Sequence, residues 1–367
     1  MRAVHGAHAS GRFLAILLLG VALAVLAAPA AQAQPFGVWA TFAGQPTIGY
    51  INVPNDAALN PTGAFTIEAW VSISNSVTGE DCRSIAGKNY TAAWWIGQCT
   101  VSGQPVLRSY LKGSGSAKNG GIIPRGIWTH VAVTFDGTMR RHYINGELAA
   151  SFAETGPLTT SPTDPMQIGS DVQWMHTPTG AIDEVRLWNV ARSITDLRNN
   201  LNVRITTPKP GLVGVWSFDG GPSDIVGGHG GSIAGSGVSF FTFPAILNCG
   251  SSTVGALCLN TRFSVTTKWR TNPTPGTPTD GNGSVVVAGP SSGIFWFFSS
   301  DNWEVMVKVL NACGLNNRYW VFSAATTNVF YRMEVFDVRA GVNKIYFNYP
   351  GPPAPAVTDV DAFATCP

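Results

Sequence analysis

Charge is what this chain lacks most: Asp, Glu, Lys and Arg make up 12% of its 367 residues, with 23 basic against 21 acidic side chains. So few charges suit long solvent-exposed helices poorly. A near-zero balance also leaves no positive surplus to displace counterions from nucleic acid or an anionic membrane. No basic cluster reverses that. Also missing are a C-x-x-C or clustered Cys/His spacing for zinc, a G-x-S-x-G elbow, an H-E-x-x-H pair and a phosphate-cradling G-x-x-x-x-G-K. After the first 33 residues, no stretch is long and apolar enough to cross a bilayer.

That opening segment is itself distinctive. Arg2 and Arg12 form a weakly basic head, Phe13 to Ala30 is almost entirely apolar, and Ala31-Gln32-Ala33 has the small-x-small pattern of a cleavage site. Residues 1–33 read as a signal peptide; the alternative, an anchoring helix, has no basic stop after it. Cleavage removes two arginines and no acid, leaving 21 basic and 21 acidic residues. The mature chain is expected to be secreted or held at the cell surface, with a periplasmic location open.

What is abundant points to strands and turns: 41 Gly, 24 Pro and 12 Trp. Six cysteines in an exported chain read as three disulfides. We pair Cys82–Cys99, Cys249–Cys258 and Cys313–Cys366, although the last four admit three arrangements. The split supports two separately stapled domains, 34–244 and 249–367.

The first domain alternates. Phe65, Ile67, Ala69 and Val71 share one face of a strand, with Thr66, Glu68 and Trp70 on the other. Trp128 to Phe135 is a second such strand, and Arg141 to Ile144 runs into Asn145-Gly146, a hairpin signal. Stacked antiparallel sheets bury such faces economically. Ser193-Ile-Thr-Asp196 offers a capping box for one helix of two to three turns. In the second domain, Thr261–Arg270, Gly293–Phe298, Glu304–Leu310, Tyr319–Ser323, Val329–Val338 and Lys344–Asn348 read as strands. These predict a smaller, seven-strand-scale, immunoglobulin-like sandwich. A proline-broken loop starts at Asn272. The fold class is all-β.

Phe65-Thr-Ile-Glu-Ala-Trp70, Trp128 to Gly137, Tyr143-Ile-Asn-Gly146, Gly180 to Asn189 and Leu212-Val-Gly-Val-Trp216 occur in an order that resembles the laminin-G-like, concanavalin A-type jelly roll. That fold is found in many exported bacterial proteins and in pentraxins. The resemblance implies two antiparallel sheets and a glycan- or protein-binding role, often with calcium at the rim. By resemblance to pentraxins, the calcium ligands would be Asn89, Asp171 and Gln173. That is one carboxylate where several are usual. Trp70, Trp128, Trp188 and Trp216 are expected to pack the interior. Trp94 and Trp95 must point to opposite faces; one belongs to the core, while Trp95, with Trp174 in a loop, is a candidate sugar contact. The second domain resembles an unnamed β-rich module of exported bacterial proteins, to which no activity attaches. Its Phe295 to Phe298 run is expected to bury against the neighbouring domain, and Asp301 and Glu304 to shape a turn.

The jelly-roll class includes β-glucanases, whose E-x-D-x-x-E strand sets paired carboxylates on one face. Here Ala181 to Arg186 offers only Asp183 and Glu184, adjacent and therefore expected on opposite faces, in structural roles. His130 and His142 read as sheet residues, and His229 sits in a glycine run. The leading expectation is an exported, non-catalytic glycan- or protein-binding module. A purely structural surface protein is the alternative, and a hydrolase with an unrecognised site a distant third.

Overall fold

Alternation along Phe65–Ile73 places Ile67, Ala69 and Val71 on the inner face of a sheet, where they join Val131, Val133, Ile182 and Leu187 in the main core. The computed structural model describes residues 37–367 apart from 75–80, 174–175, 243–245, 272–278 and 352. The expected signal peptide, Trp174 and most of the proline-broken loop lie outside the described residues.

Two antiparallel sheets form the first sandwich. One has eight strands, running in space from Glu147–Ala153 through Met139–Ile144, Thr129–Phe135, Phe65–Ile73, Thr179–Trp188 and Trp39–Ala43 to Val238–Phe241; Leu212–Trp216 also pairs with Thr179–Trp188. The other has seven, in the order Ser232–Gly235, Gly49–Val53, Met166–Ile168, Cys82–Gly87, Trp95–Val101, Gln104–Tyr110 and Lys118–Ile122. Ser193 and Asp196 form the expected capping box on helix Ile194–Asn200, which is two turns long.

The outer face of the eight-stranded sheet is buried as well. Glu68, on that face, is fully enclosed: His130 Nε2 lies 3.1 Å from it, Trp188 Nε1 donates at 2.8 Å and Arg192 at 3.2 Å. Burial alone would raise its pKa. The His130 hydrogen bond and the charges of Arg186 and Arg192 outweigh that and hold it at about 2. His130 itself is pushed down by burial and stays neutral, so its Nε2–H donates to Glu68.

Helix Ile194–Asn200 and the second sandwich seal this face. Trp70 stacks on Phe347 at 6.5 Å and packs with Leu201 and Ile345. Arg332 donates to the Trp128 carbonyl at 2.6 Å, and the Tyr349 hydroxyl to the Asn145 carbonyl at 3.0 Å. Asn145 and Gly146 turn with φ of 51° and 75°, as the hairpin motif requires. A side chain at Gly146 would begin 2.5 Å from the Tyr349 hydroxyl, so this glycine also permits the seam.

Among the described residues the second sandwich has ten strands in two sheets of five, where the sequence led us to expect seven-strand scale. The additional strands are Leu257–Leu259, Asp280–Asn282, Ser284–Gly289 and Val357–Phe363. Two of these are only three residues long, and Ser284–Gly289 carries Val285-Val286-Val287, which has no alternation to detect. The three expected disulfides form, Cys82–Cys99, Cys249–Cys258 and Cys313–Cys366. The aromatic run needs correction: Phe295 and Phe297 enter the second sandwich's own core, while Phe298 is 50% exposed against Trp269.

Acid should undo this arrangement in two stages. Burial lowers the His142 pKa to about 4, with Ser109 Oγ 2.7 Å from its Nε2. A neutral buried histidine stabilises fully above its unfolded pKa of about 6.5, and that stability is lost as pH falls towards 4. The Glu68 contribution is full above about 4.5 and is lost as pH falls towards 2. Each amounts to about 3 kcal/mol. Calorimetry from pH 7 to 3 should show a falling melting temperature throughout, and His142→Gln should flatten only the upper limb.

Candidate functional site

With one sheet sealed, the recognition candidates fall on the seven-stranded sheet, at the end where strands Cys82–Gly87 and Trp95–Val101 are joined by residues 88–94. Trp94 and Trp95 point to opposite faces as the strand period demands. Trp94 packs on Phe65 in the core and donates to the Leu59 carbonyl at 3.1 Å. Trp95 lies on the outer face, donates to Ser84 Oγ at 2.9 Å and is 2% exposed.

The Trp95 ring is accommodated by glycine. A Cβ at Gly97 would stand 2.3 Å from the indole, and one at Gly87 2.6 Å. Tyr110, its direct partner across the strand pair, covers it at 5.3 Å, and Tyr90 lies 5.6 Å from Tyr110. These three rings, His176 and Cys82 enclose a pocket of about 190 Å³. Trp95 is therefore a wall of the pocket, while the half-buried tyrosines form its accessible aromatic surface. Burial, with the charge of Asp171, raises the Tyr90 pKa, and burial lowers that of His176. At neutral pH the pocket offers a phenol and an uncharged imidazole: hydrogen-bonding groups without net charge.

The expected calcium ligands surround the adjoining loops. Asn89 and Asp171 are buried and converge, but their oxygens already accept hydrogen bonds. Asn89 Oδ1 takes the Thr91 amide at 3.0 Å and its hydroxyl at 2.6 Å. Asp171 takes the Tyr90 amide at 3.0 Å and the Gln173 amide at 2.8 Å. The exposed Gln173 enters through that main-chain amide. A second acid unforeseen in the sequence, Asp164, accepts from Asn89 Nδ2 at 2.7 Å. Calcium needs six to eight oxygen ligands; the side chains that converge here are two carboxylates and one amide, and their oxygens already accept amide and hydroxyl donors. Among the described residues no group of three or more Cys, His, Asp or Glu is placed to hold a metal. The result is a polar clasp that fixes Tyr90 beside the pocket.

The strand acids weighed for catalysis, Asp183 and Glu184, lie elsewhere and are enclosed, while Asp301 is exposed on its turn. A bulge interrupts strand Thr179–Trp188 between Asp183 and Arg186, with Glu184 at φ 49°. Simple alternation between Asp183 and Glu184 therefore fails. Glu184 instead pairs with Arg186 at 2.7 Å, and Asp183 accepts the Glu184 amide at 2.8 Å. Burial raises both carboxyl pKa values, and the charges of Glu184 and Asp219 add to the rise at Asp183. Both residues are 1% exposed, so neither meets a polymer. Glu304 binds the Phe297 amide at 2.6 Å, the turn role expected of it.

Residues 46–198 match the family model of the concanavalin A-like lectin/glucanases superfamily, and this part of the chain is a laminin-G-like jelly roll. Pappalysin-1 of Mus musculus is 29% identical over 180 residues, covering 42% of this chain; the chain spans 10% of that relative's length. A candidate carbohydrate-binding protein from Bacteroides ovatus superposes with a TM-score of 0.48 at 22% identity, covering 57% of this chain and 61% of that one. A heptameric SAP-like pentraxin from Limulus polyphemus gives 0.40 at 14% identity, over 57% and 95% of the two chains.

Two measurements check the clasp. If the clasp serves the loops and holds no metal, millimolar calcium should leave the melting temperature unchanged, since only a ligand of the folded form raises it. Asp171→Ala should cost roughly 1–3 kcal/mol in chemical denaturation, since two backbone amides lose their acceptor.

Proposed function

We propose that this chain is an exported, non-catalytic recognition protein that binds glycan through the Tyr90–Trp95–Tyr110–His176 pocket, without calcium. The observation that carries the reading is that pocket: aromatic, uncharged, about 190 Å³ in volume, and fixed by both a disulfide and a polar clasp. Its volume suits one sugar ring or chain end rather than a long polymer, since drug-sized ligands occupy pockets of about 300–1,000 Å³. Aromatic rings take the apolar face of a sugar, and the phenol and imidazole take its hydroxyls. A laminin-G-like domain supports a binding role, and the enclosure of Asp183 and Glu184 supports the absence of catalysis.

Export is supported by the apolar leader at residues 1–33 and by three disulfides in a chain with no free cysteine among the described residues. Among those residues, no helix is long and apolar enough to cross a membrane. The purely structural reading draws on one observation, the near-complete burial of Trp95.

Tyr110→Ala separates the two readings. On a glycan array the variant should lose at least tenfold in signal while melting close to wild type. A wild type that binds no glycan, or a variant that binds equally well, would leave the aromatic cluster as packing.

A further inference from the structure

A larger recess lies at the seam of the two sandwiches and shares no lining residue with the aromatic pocket. Its volume is about 670 Å³, within the range of small-molecule sites, which favour domain interfaces. The first sandwich contributes an aliphatic wall: Ile122, Pro124, Ile127, Ile144, Leu148 and Ala149. Ile122 is 53% exposed and Leu148 51%. Both sit on strands that end their sheets, Lys118–Ile122 and Glu147–Ala153.

The opposite wall carries three cations, Lys268, Arg270 and Arg332, against Asp280, and Glu147 from the facing wall and the nearby Glu334 offset two of them. Arg270 holds both Glu147 carboxylate oxygens at 2.9 Å, and Arg332 is engaged by Glu334 at 3.0 Å and by the Trp128 carbonyl. Lys268 and Asp280, both exposed, oppose one another in sign at the mouth. A ligand's head group therefore meets hydrogen-bonding partners without a strong demand for either charge.

Ring faces for sugar stacking are already taken. Arg270 lies 4.6 Å over the Phe330 ring, and Trp269 is turned onto Phe297 and Phe298 at 6.0 and 4.8 Å. An exposed aliphatic wall is best covered by another aliphatic surface. We infer that this recess binds a single aliphatic chain carrying an uncharged polar head, the chain against Ile122 and Leu148 and the head towards Lys268, Asp280 and the Glu147–Arg270 pair. The inference stands whether or not the aromatic pocket takes a sugar.

The test is isothermal titration of the intact, oxidised chain with n-dodecyl β-maltoside below its micellar concentration. Dodecanoate and dodecyltrimethylammonium serve as probes with the same tail and opposite charges. Saturable binding of the maltoside is expected, weakened at least tenfold by Leu148→Asp and by Ile122→Asp. Both side chains are exposed, so melting temperatures should stay near wild type. Val287→Asp, exposed elsewhere on the second sandwich, should bind as wild type does. No saturable binding, equal binding by both aspartate variants, or binding of only one charged probe would each overturn the inference. So would cosedimentation with phosphatidylcholine vesicles at equal strength in wild type and Leu148→Asp, which would mark a general lipid surface.

Discussion

A carboxylate without water must be held by several partners at once, and Glu68 sets that condition for this protein. Leaving a buried charge unpaired costs several kcal/mol, so His130, Trp188 and Arg192 are all committed to it. Once those polar groups are satisfied, the outer face of the eight-stranded sheet can be covered. The short helix and the second sandwich cover it, with Trp70 stacked on Phe347 at the centre of the contact.

This commitment divides the labour between the two sheets. One is spent on assembly, buried on both faces along its central strands. The seven-stranded sheet keeps an outer face on which Tyr90, Trp95 and Tyr110 gather. The Asn89–Asp171 clasp fits the same division. Its oxygens accept loop donors and place Tyr90, which resembles the use of acids as turn anchors more than as cation ligands. Assembly also creates the seam recess, which neither sandwich could form alone.

Much of the fold was legible because alternation on Phe65–Ile73 and Trp128–Phe135 is strong, and because Asn145-Gly146 and Ser193–Asp196 are local signals with local causes. The Cys82–Cys99 disulfide followed from the way the cysteines divide along the chain, whereas the pairing of the last four was one of three arrangements the sequence left open. What depends on register was hidden. Nothing near Tyr110 in sequence places it across from Trp95, and nothing near Asp164 places it beside Asn89. The Asp183–Glu184 bulge was likewise invisible, since a left-handed φ at a glutamate has no compositional mark. The short strands of the second sandwich fell below the length at which a two-residue period can be recognised.

The central claim is that sealing the charged face joins both sandwiches into a single cooperative body. Differential scanning calorimetry of the intact, oxidised chain tests it most directly. The account predicts one transition whose calorimetric and van't Hoff enthalpies agree. Two separated transitions, each with the enthalpy of one sandwich, would contradict it.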